Sequence, residues 1–132
     1  MLFRSTLAIG LRRNLLEAFV NETVSLRVPA TVRVNLHGSL RKAVMARDVF
    51  HHLVRVMGPA SCAFKVLELG GPVIDAMSIE GRQTICGQAM FVGATTAIIN
   101  PDQKSIDYAR NRARIALDPV SSDADEIGRA HV

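Results

Sequence analysis

The spacing of apolar and polar residues changes several times along the chain, and each change marks an element. Residues 7–20 place Leu11, Leu15, Leu16 and Phe19 at helical spacing, which predicts a weak helix broken by Asn21-Glu22-Thr23. Val24–Val28 and Thr31–Leu36 are β-rich runs. In the second, Val32, Val34 and Leu36 alternate with Arg33 and Asn35, the period-2 pattern of a half-buried strand. Pro29 interrupts the ladder between the runs, and Gly38 closes the second. Ala46–Met57 gives the clearest helix. Its Val49, Phe50, Leu53, Val54 and Met57 form one apolar stripe, and Gly58-Pro59 stops it. Phe64–Leu69 reads as a strand ending at Gly70-Gly71, and Pro72 suits the first turn of a short helix carrying Ile74 and Met77. A helix from Arg82 to about Val92 puts Ile85, Ala89 and Val92 on one face. Thr95–Ile99 is a buried strand ended by Pro101. Asp102 then serves as N-cap of a helix to about Arg112, lined by Ile106, Ala109 and Ala113.

The predicted order is strand, helix, strand, helix, helix, strand, helix. Alternation of this kind predicts an α/β fold with a mostly parallel sheet. No internal repeat interrupts it. Residues 1–23 read as an N-terminal helical segment, 24–113 as the α/β body and 114–126 as a polar, aperiodic linker. The last stretch, Ile127–Val132, back-translates to ATC GGA AGA GCA CAC GTC, which resembles a common short-read sequencing adapter. The expectation is that the reading frame ran from a DNA fragment into adapter, so 127–132 are set aside from fold reasoning.

Composition narrows the function classes. The chain is 48% hydrophobic and 21% charged, with five Phe, one Tyr and no Trp, which suits an aliphatic core of helices on a sheet. No apolar run reaches the roughly 20 residues of a spanning helix. Arg12 and Arg13 follow the short apolar start on the wrong side for a secretory signal, so a cytoplasmic protein is expected. The net charge of +4 is uneven: residues 1–65 hold ten Lys or Arg against three acids, and residues 66–132 hold six against nine. A basic half can bind nucleic acid. Here the arginines are scattered and no aromatics lie between them, so a solvated face is the reading preferred over nucleic acid.

Little chemistry stands out residue by residue. Cys62 and Cys86 form no Cys-x-x-Cys pair and read as core thiols. His51 and His52 are helix neighbours about 100° apart, so they do not face one metal. His37 follows a strand and reads as solvated; His131 lies in the tail that is set aside. No phosphate-binding glycine motif is present, and Gly70-Gly71-Pro72 reads as a turn. Ser78–Arg82 is more informative. Glu80 and Arg82 flank a glycine between two helices, and such polar residues either cap helices or face a cleft; capping is preferred.

Taken together, Ala76-Met77-Ser78-Ile79-Glu80-Gly81-Arg82-Gln83-Thr84-Ile85-Cys86 is similar to the Leu-Ser-Met-Glu-Gly-Arg-x-Thr-x-Cys segment of 3-isopropylmalate dehydratase large subunits, in the aconitase superfamily. Gly93-Ala94, Pro101-Asp102 and Tyr108 continue the likeness. Upstream, Val28-Pro29-Ala30-Thr31 resembles the family's Val-Pro-x-Thr strand. Asp48 with its helix, and Glu68 before Gly71, also match. The resemblance spans about residues 24–113 and marks Glu68, Glu80, Arg82 and Thr84 as family-motif residues. It implies a fragment of an aconitase-type three-layer α/β/α domain. It also implies a hydro-lyase acting on a small hydroxy acid, in leucine biosynthesis or a related pathway. In that family three Cys thiolates hold a [4Fe–4S] cluster whose fourth iron is a Lewis acid, and a serine of a separate small subunit or swivelling domain removes the α-proton.

The resemblance also says what this chain lacks. The family's cluster motifs and its Gly-Asp-Ser-His-Thr segment lie outside this stretch, and Cys86 matches a cysteine that is not a ligand. Neither catalytic nor metal-binding residues are expected here, and the chain is expected to bind no cluster and to be inactive alone. Where the family has an Asn after Cys86 and a Glu four residues on, both near the substrate, this chain has Gly87 and Phe91. Gln88 is one position from the missing amide, and on a continuous helix it points elsewhere. A non-catalytic paralogue and a small basic interaction or nucleic-acid-binding domain are the competing readings.

Overall fold

The computed structural model describes residues 15–23, 29–113, 119, 121 and 128–131. The strand expected at Val24–Val28, the start of the 7–20 helix and most of the 114–126 linker lie outside the described residues. In chain order the elements are α1 (Leu15–Asn21), β1 (Thr31–Asn35), α2 (Ala46–Met57), β2 (Val66–Gly70), α3 (Pro72–Ala76) and α4 (Ile79–Gly87). A 3-10 turn (Ala89–Val92), β3 (Thr96–Ile99), α5 (Gln103–Ala113) and β4 (Gly128–His131) follow. The strands form one parallel sheet in the order β3-β2-β1-β4. Helix α2 links β1 to β2, and α3, α4 and the 3-10 turn link β2 to β3, the crossovers that parallel pairing needs. The architecture is the α/β type expected.

Register sorts the side chains onto two faces. Val34, Leu67 and Leu69, with Ala97 and Ile99, fall on one face and join the core beneath α2 and α4. Arg33, Asn35 and Glu68 fall on the other. β2 is flanked on both sides, so Leu67, Glu68 and Leu69 are all buried. Helix α2 inserts Phe50 and Leu53, while Val49, Val54 and Met57 line the edge of the same core. The Asp48 carboxylate accepts the Met45 N–H at 2.9 Å and closes the first turn. Gly58, at φ 86°, ends the helix with its N–H on Val54 O at 2.8 Å.

The β2–α3 turn joins the carboxyl ends of β1 and β2. Leu36 N–H donates to Gly70 O at 2.8 Å, and Val73 N–H donates to Leu36 O at 3.3 Å. Between them Gly71 has φ 94°, and a Cβ there would sit 2.6 Å from Leu36 O. Only glycine fits that conformation and that approach.

The structure differs from the expectations at four places. Helix α4 begins at Ile79 rather than Arg82 and breaks at Gln88, where the chain tightens into the 3-10 turn instead of running on to Val92. β2 starts at Val66, and Phe64, expected inside the strand, is 88% exposed at φ 59°. In α1 the helical spacing is real, but Leu16 and Phe19 are exposed. Finally, within the adapter-like stretch 127–132 that fold reasoning sets aside, Gly128–His131 forms β4, paired with β1.

Candidate functional site

The Ser78–Thr84 segment is a structural junction built around Arg82. The Ser78 hydroxyl accepts the Gly81 N–H at 3.2 Å and caps α4. Glu80 is exposed in the first turn. Its own backbone N–H and the Ser78 hydroxyl hold its carboxyl below the ordinary value. The Thr84 hydroxyl donates back to Glu80 O at 2.8 Å, within the helix. Arg82 behaves differently. It is 1% exposed and leaves its own helix to bind two others. Nε donates to Ile74 O at 3.2 Å and Nη2 to Asp75 O at 3.2 Å, covering the last carbonyls of α3. Nη2 also meets Asp102 Oδ2 at 2.5 Å, and Nη1 donates to Ser105 Oγ at 3.3 Å.

Asp102 is the N-cap of α5, as its position after Pro101 predicted. Its Oδ1 accepts Ser105 N–H at 2.9 Å and Ser105 Oγ–H at 3.0 Å. The Arg82 guanidinium holds the Asp102 carboxyl far below the usual carboxylate range, against a smaller opposing effect of burial. Lys104 Nζ adds a 2.6 Å bond to Asp75 O. One buried guanidinium therefore ties the end of α3, the body of α4 and the start of α5. The preference for capping over a cleft fits Arg82, which covers the last carbonyls of α3, while Glu80 stands exposed in the first turn of the helix that Ser78 caps. The cross-helix reach of Arg82 has no signal in local spacing, because its partner lies twenty residues on.

Glu68 is buried on β2 and faces its register neighbour Arg33, with Nη1 to Oε1 at 3.8 Å. Asn100 Nδ2 donates to the same oxygen at 3.4 Å, and Arg33 Nε donates to Asn35 Oδ1 at 3.4 Å. The motif glutamate is thus part of a polar row that runs from β1 through β2 to the residue that follows β3. Alternation in β1 placed Arg33 and Asn35 together on one face, but the strand pairing that brings them to Glu68 is a long-range fact.

Gly87 and Phe91 bracket the break after α4. Gly87 is half-buried and Phe91 is 59% exposed. Between them Gln88, at φ −90° and ψ −2°, ends α4 and opens the 3-10 turn. Its side chain is buried, and Oε1 meets no donor among the described residues.

Both cysteines are buried and free. Burial pushes the Cys86 thiol up to about 12, with Arg82 opposing it. His37, His51 and His52 are exposed. Among the described residues no group of three His, Cys, Asp or Glu side chains is placed to hold a metal ion. A cluster held by three thiolates does not fit a chain with two cysteines, one of them in surroundings whose burial disfavours the thiolate. No described helix is long and apolar enough to cross a membrane.

Comparison with known proteins decides the family. The family model of the aconitase family (aconitate hydratase) matches residues 5–129. The chain belongs to the aconitase family. Among individual members of that family, it is 38% identical over 109 residues to the "Probable methanogen homoaconitase large subunit" of Methanosarcina mazei, covering 83% of this chain and 28% of that protein. It is 40% identical over 111 residues to the 3-isopropylmalate dehydratase large subunit of Citrifermentans bemidjiense, covering 76% and 26%. A Pyrococcus abyssi protein, 3-isopropylmalate dehydratase large subunit 1, is 36% identical over 99 residues, covering 75% and 23%. This aconitase-family chain therefore spans about a quarter of the length of these relatives. The resemblance drawn from Ala76–Cys86 and its flanking motifs is the correct one.

Proposed function

We propose that this chain is an internal part of the large subunit of a [4Fe–4S] hydro-lyase that hydrates and dehydrates a small 2- or 3-hydroxy acid. The observation that carries the reading is a family match over residues 5–129 in a chain about a quarter the length of relatives named as large subunits. The role of this part is to position rather than to react. Its motif residues Glu68, Arg82 and Thr84 are engaged in internal bonds, and Glu80 stands exposed at a capped helix start. The cluster ligands, the proton-abstracting base and a small-subunit partner belong to the rest of the enzyme, in a cytoplasmic pathway such as leucine biosynthesis. Gly87 and Phe91 stand where the family resemblance implies an amide and a carboxylate beside the substrate. A glycine and an exposed phenyl there favour a substrate less polar than the family's usual one.

The same two residues support a second reading, a paralogue that has lost catalysis. The flanking DNA separates the readings. An active enzyme requires a Gly-Asp-Ser-His-Thr segment upstream and a Cys-Thr-Asn segment with a later Cys-x-x-Cys downstream. If an intact gene lacks all of these, the hydro-lyase reading is wrong. If it has them, the complete subunit, expressed with its small subunit and reconstituted with iron and sulfide, should hydrate unsaturated di- or tricarboxylic acids. The same DNA shows whether Ile127–Val132 is genuinely encoded.

A further inference from the structure

We propose that the strand position held here by Gly128–His131 belongs, in the complete large subunit, to native sequence encoded beyond residue 126, which pairs with β1 and makes it an inner strand. The inference rests on the reading of the chain as part of a longer subunit, with Ile127–Val132 supplied by adapter. Three observations carry it. First, the far side of β1 accepts a strand whose sequence does little to earn the place. Gly128–His131 lies along β1 in parallel register, with Val32 opposite Gly128, Arg33 opposite Arg129, Val34 opposite Ala130 and Asn35 opposite His131. Gly-Arg-Ala-His contains none of the β-branched or large aromatic residues that favour strands, and a glycine weakens one. The register also sets one arginine opposite another, and like charges directly opposite disfavour a pairing. What favours the pairing is therefore the β1 backbone, whose outward N–H and C=O groups need partners.

Second, β1 has the character of an inner strand. It pairs along its whole length with β2 on its other side. Val34 is fully buried, and Val32 packs against the same core. Opposite these two valines stand only Gly128 and Ala130, so the core face of the sheet thins abruptly at β4. The order β3-β2-β1-β4 is the opening of the doubly wound order 3-2-1-4-5-6, in which the chain returns past the first strand and continues outward.

Third, the occupant arrives on a connection already in place. Residues 100–127, with α5, form the link from β3, longer than the dozen or so residues that a parallel crossover needs. The family match runs to residue 129, and the relatives are about four times as long as the matched part, so family members continue through this point. The chemistry demanded of the native run is specific. It lies parallel to β1, with Val, Ile or Leu opposite Val32 and Val34. Opposite Arg33 it carries Asp, Glu or an uncharged residue.

The genomic sequence beyond residue 126 is the first test. We expect codons other than those for Ile127–Val132, and a run of this pattern within about 15 residues, the usual limit for a loop without structure of its own. An intact gene that encodes Ile127–Val132, or that has no such run, overturns the proposal. The second test uses the complete subunit. Arg33→Cys is combined with Cys at the native residue opposite it, and the folded protein is exposed to oxidised glutathione. Neighbouring strands lie about 4.8 Å apart, within the roughly 4.4–6.8 Å that a disulfide spans between Cα atoms. Peptide mass spectrometry should find most chains linked within one molecule, and none when the second Cys is moved one residue along to the other face. No link, or equal linking at both positions, overturns the pairing. A link between two molecules assigns the edge to a second copy and also overturns it. A gene that encodes the run but lacks the cluster motifs removes the hydro-lyase reading and leaves the strand assignment standing.

Discussion

At the scale of single residues, Arg82 matters most. It is a buried charge that satisfies two backbone carbonyls, a carboxylate and a hydroxyl on three elements. Arg82→Met keeps much of the volume but removes four hydrogen bonds at once, leaving Ile74 O to Met77 N–H, Asp75 O to Lys104 and the Asp102 carboxylate to Ser105. The Asp102 carboxylate is 36% exposed and can turn to water, so the loss is that of charge-assisted hydrogen bonds rather than of a fully buried ion pair, about 3 kcal/mol, still a large part of the roughly 5–15 kcal/mol that holds a domain together. Arg82→Lys keeps the charge but not the planar fork, and should cost about 2 kcal/mol. Urea titration of the complete subunit should rank wild type above Lys above Met. Asp102 gives the pair its pH dependence. Its folded-state pKa is depressed, so its contribution is complete above the unfolded value of about 3.9 and is lost as pH falls below it. Stability should therefore be flat in this respect from pH 7 to about 5 and fall below about 4. Asp102→Asn keeps an N-cap oxygen for Ser105 but removes the charge. Because the carboxylate is 36% exposed and screened, the loss at pH 7 should be modest, about 1–2 kcal/mol, with a shallower acid limb. An acid limb as steep as wild type would show that the pair contributes nothing there.

At the scale of elements, the joint between β1, β2 and α3 depends on one glycine. Gly71→Ala combines a left-handed φ with a Cβ pressed onto Leu36 O at 2.6 Å. The strain and the forced separation of the β1 and β2 ends together should cost about 3 kcal/mol or more. Gly38→Ala provides a contrast, since its φ is also positive but nothing lies within 4 Å, and it should cost about 1 kcal/mol. Equal midpoints for the two variants in thermal melts would mean that crowding at Gly71 is relieved elsewhere. Elements of this kind were legible in the sequence wherever local rules decide. Helix α2 falls on its predicted boundaries, because its stripe, Asp48 and Gly58 all act within a turn or two. Asp102 caps α5 for the same reason. The helix break at Gln88 was not legible: Ile85, Ala89 and Val92 are all buried, so the apolar spacing continues through a change of helix type. The Arg33–Glu68–Asn100 row needed strand pairing, which local periodicity does not contain. The site was legible only as motif residues, since neither spacing nor composition indicates which part of a subunit a motif supports.

At the scale of the whole molecule, the chain has an apolar core but an unfinished surface. Among the described residues β3 and β4 are the edges of the sheet, each paired on one side only. Leu16, Phe19, Phe64 and Phe91 are large apolar side chains at the surface, each more than half exposed. Open strand edges and exposed apolar patches both favour association between chains. A net charge of +4 opposes it weakly, since the basic first half and acidic second half attract one another between molecules. The 132-residue chain expressed alone should therefore aggregate or fold loosely. Light scattering should rise with concentration, and heating should give a broad transition rather than a single sharp one. Replacing Phe64 and Phe91 together with Ser should reduce the scattering while leaving the helix signal in circular dichroism unchanged, because neither ring belongs to the buried core. A wild-type chain that stays monomeric at 100 μM (on the order of the concentrations at which exposed edges cause aggregation) and melts cooperatively would show that these 132 residues are a self-sufficient domain, covered well enough without the rest of the subunit.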